Sequence, residues 1–142
     1  VTGQAIDMAS TGAQVDLPTL VEMHRLKTAA MIQSSVLMGA LGTGKATEDQ
    51  LDALKSYSTA IGVAFQIQDD ILDVDSTTQA MGKNQGTDAR AEKSTFTSVL
   101  GVDSAKENVK ELYDDCINSL EPLGESADKL RHIANFIVTR NF

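Results

Sequence analysis

Apolar positions recur at helical spacing along most of the chain. From Thr47 onward, Leu51, Leu54, Tyr57, Ser58, Ile61, Phe65 and Ile67 follow one wall of a helix. Thr47 and Gln50 make the pattern of a capping box in front of this run. It makes about seven turns to the aspartates, a length usual in large helical bundles, and Ser76-Thr77-Thr78-Gln79 is predicted to end it. Upstream, Gly3 to Ala9 reads as the end of a helix with Gly12 as its stop. Asp16-Leu17-Pro18 then opens another, with Pro18 in the first turn, and the period through Leu20, Met23, His24, Lys27, Met31, Ser34 and Met38 carries it to about Leu41. Small residues on this helix (Ala29, Ala30, Ser34, Ser35, Gly39, Ala40) let a second helix approach closely. Downstream, Phe96–Leu100 reads as a short turn or helix. Asp103 to Leu120 is amphipathic and ends at Pro122 and Gly124, and a last helix starts at Ser126 or Ala127. The pattern predicts an all-α fold.

Inside the longest helix the apolar run is interrupted by acid. Asp69, Asp70, Asp73 and Asp75 fall within seven residues of Phe65-Gln66-Ile67-Gln68-Asp69-Asp70-Ile71-Leu72-Asp73-Val74-Asp75. Asp69 and Asp73 are i,i+4 neighbours, and Asp70 and Asp73 are i,i+3 neighbours, so the three crowd one side of the helix. Like charges at this spacing repel, and no cationic residue follows until Lys83. A solvated acidic face would tolerate that. However, Ile61, Val63, Ala64, Phe65, Ile67, Ile71, Leu72 and Val74 surround most of the helix, which predicts burial and a need for partners. Hard carboxylate oxygens suit Mg²⁺ or Ca²⁺ better than a thiolate-seeking metal. Mg²⁺ takes one or two carboxylates, keeps waters and shares phosphate oxygens of a substrate.

Composition narrows the choices. The 142 residues are enough for one domain, and the formal net charge of -8 leaves no basic stripe for nucleic acid. The single Cys116 excludes an internal disulfide, sits in an apolar stripe and fits a reducing, cytoplasmic setting. No signal peptide or membrane span is read. The chain starts at Val1 within a helical pattern, so it reads as a piece of a longer protein or of a cleaved one. Gly39, Gly44 and Lys45 have the spacing of a phosphate loop, but the hydroxyl position is Ala46 and the motif follows a helix instead of a strand. An EF-hand loop starting at Asp73 fails at Thr78 and Asn84. His24 and His132 each lack a second ligand at zinc spacing and read as structural.

Taken together, Phe65-Gln66-Ile67-Gln68-Asp69-Asp70-Ile71-Leu72-Asp73 resembles the second aspartate-rich motif of the short-chain trans-prenyl diphosphate synthases. Lys27-Thr28 resembles their Lys-Thr pair, Gly3-Gln4 their Gly-Gln step, and Gly82-Lys83, Gly86-Thr87-Asp88 and Lys93 the loop after the second motif. Order and spacing agree along the chain, with the bacterial farnesyl diphosphate synthases nearest in pattern. Thr95-Phe96-Thr97 departs from relatives, which carry an aromatic residue followed by Pro. The resemblance implies the C-terminal half of a large helical bundle of the isoprenoid synthase type. Residues 1–142 would form the later part of a single domain whose first half, with the other aspartate-rich motif, is missing.

What the resemblance implies about chemistry is condensation of isopentenyl diphosphate with an allylic diphosphate, assisted by Mg²⁺ with Mn²⁺ as an alternative ion. Asp69, Asp70 and Asp73 would be the metal ligands. Lys27, Lys83 and Lys93 would contact diphosphate, Gln4 would line the allylic site, and Arg140 would help close it. The Thr28 oxygen and the Gln66 amide oxygen would stabilise an allylic cation, with Gln66 preferred over Gln68 because it is i,i+4 to Asp70. Asp75 and Asp88 are assigned supporting roles. A homodimer is implied by the family alone, and residues 1–142 by themselves are expected to be inactive. Two alternatives remain open at this stage: a non-catalytic helical partner or fragment, and a related terpene cyclase. Cyclases carry an Asn/Ser/Glu metal motif where this chain has Asp-Asp-x-x-Asp, which favours the synthase.

Overall fold

A computed structural model describes residues 2–80 and 93–141. The described residues form helices and no strand. In chain order these are α1 (Thr2–Ala9), α2 (Leu17–His24), a π-helical segment (Arg25–Ala29), α3 (Ala30–Gly42), α4 (Glu48–Ala80), α5 (Phe96–Leu100), α6 (Val102–Ser119), a 3-10 stretch (Glu121–Ala127) and α7 (Asp128–Thr139). The predicted caps form. Asp16 accepts a hydrogen bond from the Thr19 amide at 3.0 Å ahead of Pro18. Thr47 and Gln50 bond reciprocally at 3.1 and 3.2 Å in front of α4. Two local expectations change. The long helix continues through Ser76-Thr77-Thr78-Gln79, the stretch expected to end it, as far as Ala80. The helix from Leu17 to Gly42 contains one π turn, which shifts the register of Lys27 and Thr28 against the following residues.

α4 has 33 residues and is about 50 Å long. It is the axis of the fold, packing against α2, the π segment, α3, α5, α6, the 3-10 stretch and α7. Its apolar wall serves two adjoining cores. Toward the N-terminal end, Leu54, Tyr57, Ile61 and Ala64 pack with Cys116, Leu120, Ala127 and Ala134. Toward the acidic end, Val63, Ile67 and Ile71 pack with Leu20, Met23, Phe96, Ala105 and Val109. Full burial of a side chain such as Leu20, Ile61 or Ile67 is worth about 1.5–3 kcal/mol each. Cys116 is wholly buried, and burial pushes its thiol up to about 12, so it is a packed thiol and not a nucleophile. Among the described residues no helix is long and apolar enough to cross a membrane.

Two glycines set the spacing around Lys27. A Cβ on Gly62 of α4 would lie 2.4 Å from the Ala29 Cβ, and a Cβ on Gly3 of α1 would lie 2.4 Å from the Lys27 amide nitrogen. Both helices therefore rest directly on the backbone of the π segment, which only glycine allows at this distance.

Candidate functional site

The C-terminal half of α4 distributes its aspartates over different surroundings. Asp70 is buried and turned into the fold, where Oδ2 accepts the Phe96 amide at 2.7 Å and Oδ1 accepts the Gln66 side-chain amide at 3.1 Å. Burial raises its pKa, and these two hydrogen bonds oppose the rise without cancelling it. Asp69 is half-buried and Asp73 exposed, one turn apart. Asp69 accepts a hydrogen bond from Arg140 Nη2, while the same guanidinium lies 4.2 Å over the Phe65 ring and donates to the Phe65 carbonyl at 3.3 Å. Burial raises the pKa of Asp69; Arg140 lowers it, Asp73 raises it further, and the net shift is upward.

The three carboxylates thus face different surroundings. Among the described residues no group of three acidic, histidine or cysteine side chains converges on a metal position. Asp69 and Asp73 present hard oxygens on the less buried side of the helix. Two carboxylates suit an ion that fills its shell with water and phosphate oxygens, so the donor set fits Mg²⁺ without forming a closed cage.

A second cluster stands around α1 and the π segment. Lys27 Nζ is 2.8 Å from Asp7 Oδ2, and Lys93 Nζ is 3.0 and 3.1 Å from Asp7 Oδ1 and Oδ2. Lys93 thus joins Lys27 at Asp7, and among the described residues the charges that act on Asp69 are Arg140 and Asp73. Asp7 is buried, and burial alone would raise its pKa, but the hydrogen bonds from Lys27 and Lys93 outweigh that and hold it below the usual carboxylate value. His24 lies beside this cluster with its ring 5.5 Å from Phe96. Burial first, then the Lys27 charge, lower its pKa to about 4, so it is a neutral core imidazole at physiological pH. Thr28 is half-buried in the same π turn, and Gln4 is exposed on α1. Lys83 and Asp88 lie outside the described residues.

Sequence reasoning left Asp7 without a role and treated Gln68 as a decoy for Gln66. Gln66 does reach Asp70, as its i,i+4 spacing predicts, and Gln68 donates to the Arg140 carbonyl at 3.2 Å, tethering the arginine that meets Asp69. The signal for Arg140 was present as Phe65 and Asp69, an aromatic and an acid one turn apart, which a single guanidinium satisfies together.

Compared with known families, the chain matches the polyprenyl synthetase family over residues 1–136. The chain belongs to the polyprenyl synthetase family. It is 41% identical to the farnesyl diphosphate synthase of Escherichia coli (strain K12), covering 98% of this chain and 48% of that protein. Among solved structures, an FPP/GFPP synthase from Zymomonas mobilis superposes with a TM-score of 0.79 at 37% identity, over 96% of this chain and 44% of the other. A geranyltransferase from Helicobacter pylori, complexed with magnesium and isoprenyl diphosphate, superposes with a TM-score of 0.75 at 28% identity, over 96% of this chain and 45% of the other. This polyprenyl synthetase chain therefore spans about half the length of the relatives it matches. The all-α expectation and the family resemblance both hold.

Proposed function

We propose that this polyprenyl synthetase chain supplies the second half of a prenyl diphosphate synthase domain, condensing isopentenyl diphosphate with an allylic diphosphate to give farnesyl diphosphate. The observation that carries the reading is the joint presence, in a chain of this family, of an outward Asp69/Asp73 edge and a converging Lys27/Lys93 pair. Asp69 and Asp73 hold Mg²⁺, with Mn²⁺ as an alternative ion, and Asp70 orders the edge by fixing Gln66 and the start of α5. When bound, Mg²⁺ supplies Lewis-acid neutralisation of the diphosphate leaving group. Lys27, Lys83 and Lys93 bind diphosphate oxygens as point charges. Because the Gln66 amide nitrogen is committed to Asp70, its oxygen is the end left to face developing positive charge, together with the Thr28 hydroxyl. Gln4 lines the allylic side, and Arg140 holds Asp69 in place. The remaining half of the domain brings the other aspartate-rich motif and excludes water, and the complete enzyme is a homodimer.

The test combines intact mass with turnover on the purified protein. Geranyl diphosphate, isopentenyl diphosphate and Mg²⁺ are supplied, and prenyl products are read by mass spectrometry. Material of about twice 15.2 kDa, or containing a second polypeptide, is expected to form product, and Asp69→Ala to slow it about 100- to 1,000-fold. A 15.2 kDa chain on its own is expected to be inactive. Full-length material that is inactive with every allylic diphosphate would overturn the proposal. Turnover that needs no isopentenyl diphosphate would point to a cyclase.

A further inference from the structure

We propose that Asp7 is a positioning residue: its buried carboxylate draws the Lys27 and Lys93 ammoniums together into a two-cation clamp for one diphosphate group. This rests on the reading that a diphosphate binds at those lysines. The lysines are 20 and 86 residues from Asp7 in sequence, yet both contact the same carboxylate at 2.8 to 3.1 Å. Sharing Oδ2 puts the two ammoniums within about 6 Å of each other, where like charges repel unless an anion bridges them. The Asp7 side chain is 7% exposed, against 34% for Lys27 and 54% for Lys93, so the anion lies beneath and the cations face outward. An ammonium has three N–H donors. Each lysine engages the carboxylate from one side and keeps donors for a second anion.

The local backbone is built to hold this arrangement. Gly3, one turn before Asp7, lets α1 rest on the Lys27 backbone. The π turn sets the register at which Lys27 emerges. Lys93 is held from its own side, because the neighbouring Ser94 hydroxyl accepts the Val15 amide at 3.2 Å and donates to the Ala13 carbonyl at 3.3 Å. One carboxylate and two ammoniums leave a net positive charge at this point in a chain of net charge -8, the local reversal an anionic substrate requires.

The experiment is a titration of inorganic pyrophosphate, in Mg²⁺ buffer, into the complete protein and its variants. Asp7→Asn is expected to weaken binding about tenfold and Asp7→Glu to recover most of it. In the Lys27→Ala/Lys93→Ala background, Asp7→Asn is expected to have no further effect on affinity, although any effect on melting temperature persists. A purely structural role would move melting temperature alike in both backgrounds and leave affinity unchanged, and that result would overturn the proposal. So would an equal loss of affinity in both. Should Asp7→Asn fail to fold, the wild-type protein still decides: the Nζ resonances of Lys27 and Lys93 are expected to shift with one midpoint as pyrophosphate is added, and movement of only one overturns the clamp. If the double lysine variant binds pyrophosphate as tightly as wild type, the diphosphate reading itself fails, which is distinct from a clamp that works without Asp7.

Discussion

Asp7 and Asp69 are both carboxylates set into helices against a cation, and they settle in opposite states. Asp7 is the more buried, yet two lysines lower its pKa below the ordinary range. Asp69 keeps more solvent, yet burial and the neighbouring Asp73 raise its pKa despite Arg140. Burial alone would order them the other way. What separates them is the kind of neighbour: two lysines lie on Asp7, whereas Asp69 has Arg140 on one side and a second carboxylate, Asp73, one turn away. The first is a finished structural unit with positive charge to spare. The second sets two carboxylates one turn apart, hard oxygen donors of the kind a divalent cation takes up.

The sharpest way to test this contrast is to remove Asp69. In the complete enzyme Asp69→Ala is expected to cost about 100- to 1,000-fold in initial rate of product formation. The melting temperature should fall only modestly, since the half-exposed Asp69 gives up a single ion pair with Arg140. A large loss of stability with modest loss of rate would make the edge structural.

Next in size is a pH effect on the Asp7 side. The folded pKa of His24 is lowered to about 4 from 6.5, so the unfolded chain binds a proton there that the folded chain does not. The stability held by neutral His24 is therefore complete above about pH 6.5 and is lost as pH falls toward about 4, by about 3 kcal/mol in all. Urea midpoints measured from pH 7 to 4.5 should fall steadily in wild type and flatten in His24→Gln. Asp7 acts in a lower window. Its contribution is present above the unfolded value of 3.8 and is lost as pH drops below it.

The smallest expected change separates neighbours on one helix. Asp70→Ala leaves the buried Phe96 amide without its acceptor and should cost about 1–3 kcal/mol in urea unfolding. The adjacent Asp69→Ala should cost little. Equal costs would mean that the two aspartates are not divided between fold and edge as described.

Much of this was legible in the sequence because it is local. The capping box at Thr47, the cap at Asp16 and the Gln66–Asp70 pair depend on residues three or four apart, and spacing alone finds them. The inward turn of Asp70 was not legible: helical spacing groups it with Asp73, and only the amide at the start of α5 draws it away. Asp7 was invisible for a related reason. On α1 it is a lone acid between Ile6 and Met8, and its role comes from two lysines brought from distant parts of the chain. The π turn under Lys27 has no period of its own, because close contacts with Gly3 and Gly62 accompany it and not a repeat in the sequence.

The most direct test of the central claim is pyrophosphate affinity of the purified protein with and without Mg²⁺, for wild type and Asp69→Ala. Mg²⁺ is expected to tighten binding by at least about tenfold in wild type. That gain should vanish in Asp69→Ala, while the weaker, lysine-dependent binding without Mg²⁺ remains. A Mg²⁺ gain that survives the loss of Asp69 would contradict the account, since the α4 edge would then not be where the metal meets the diphosphate.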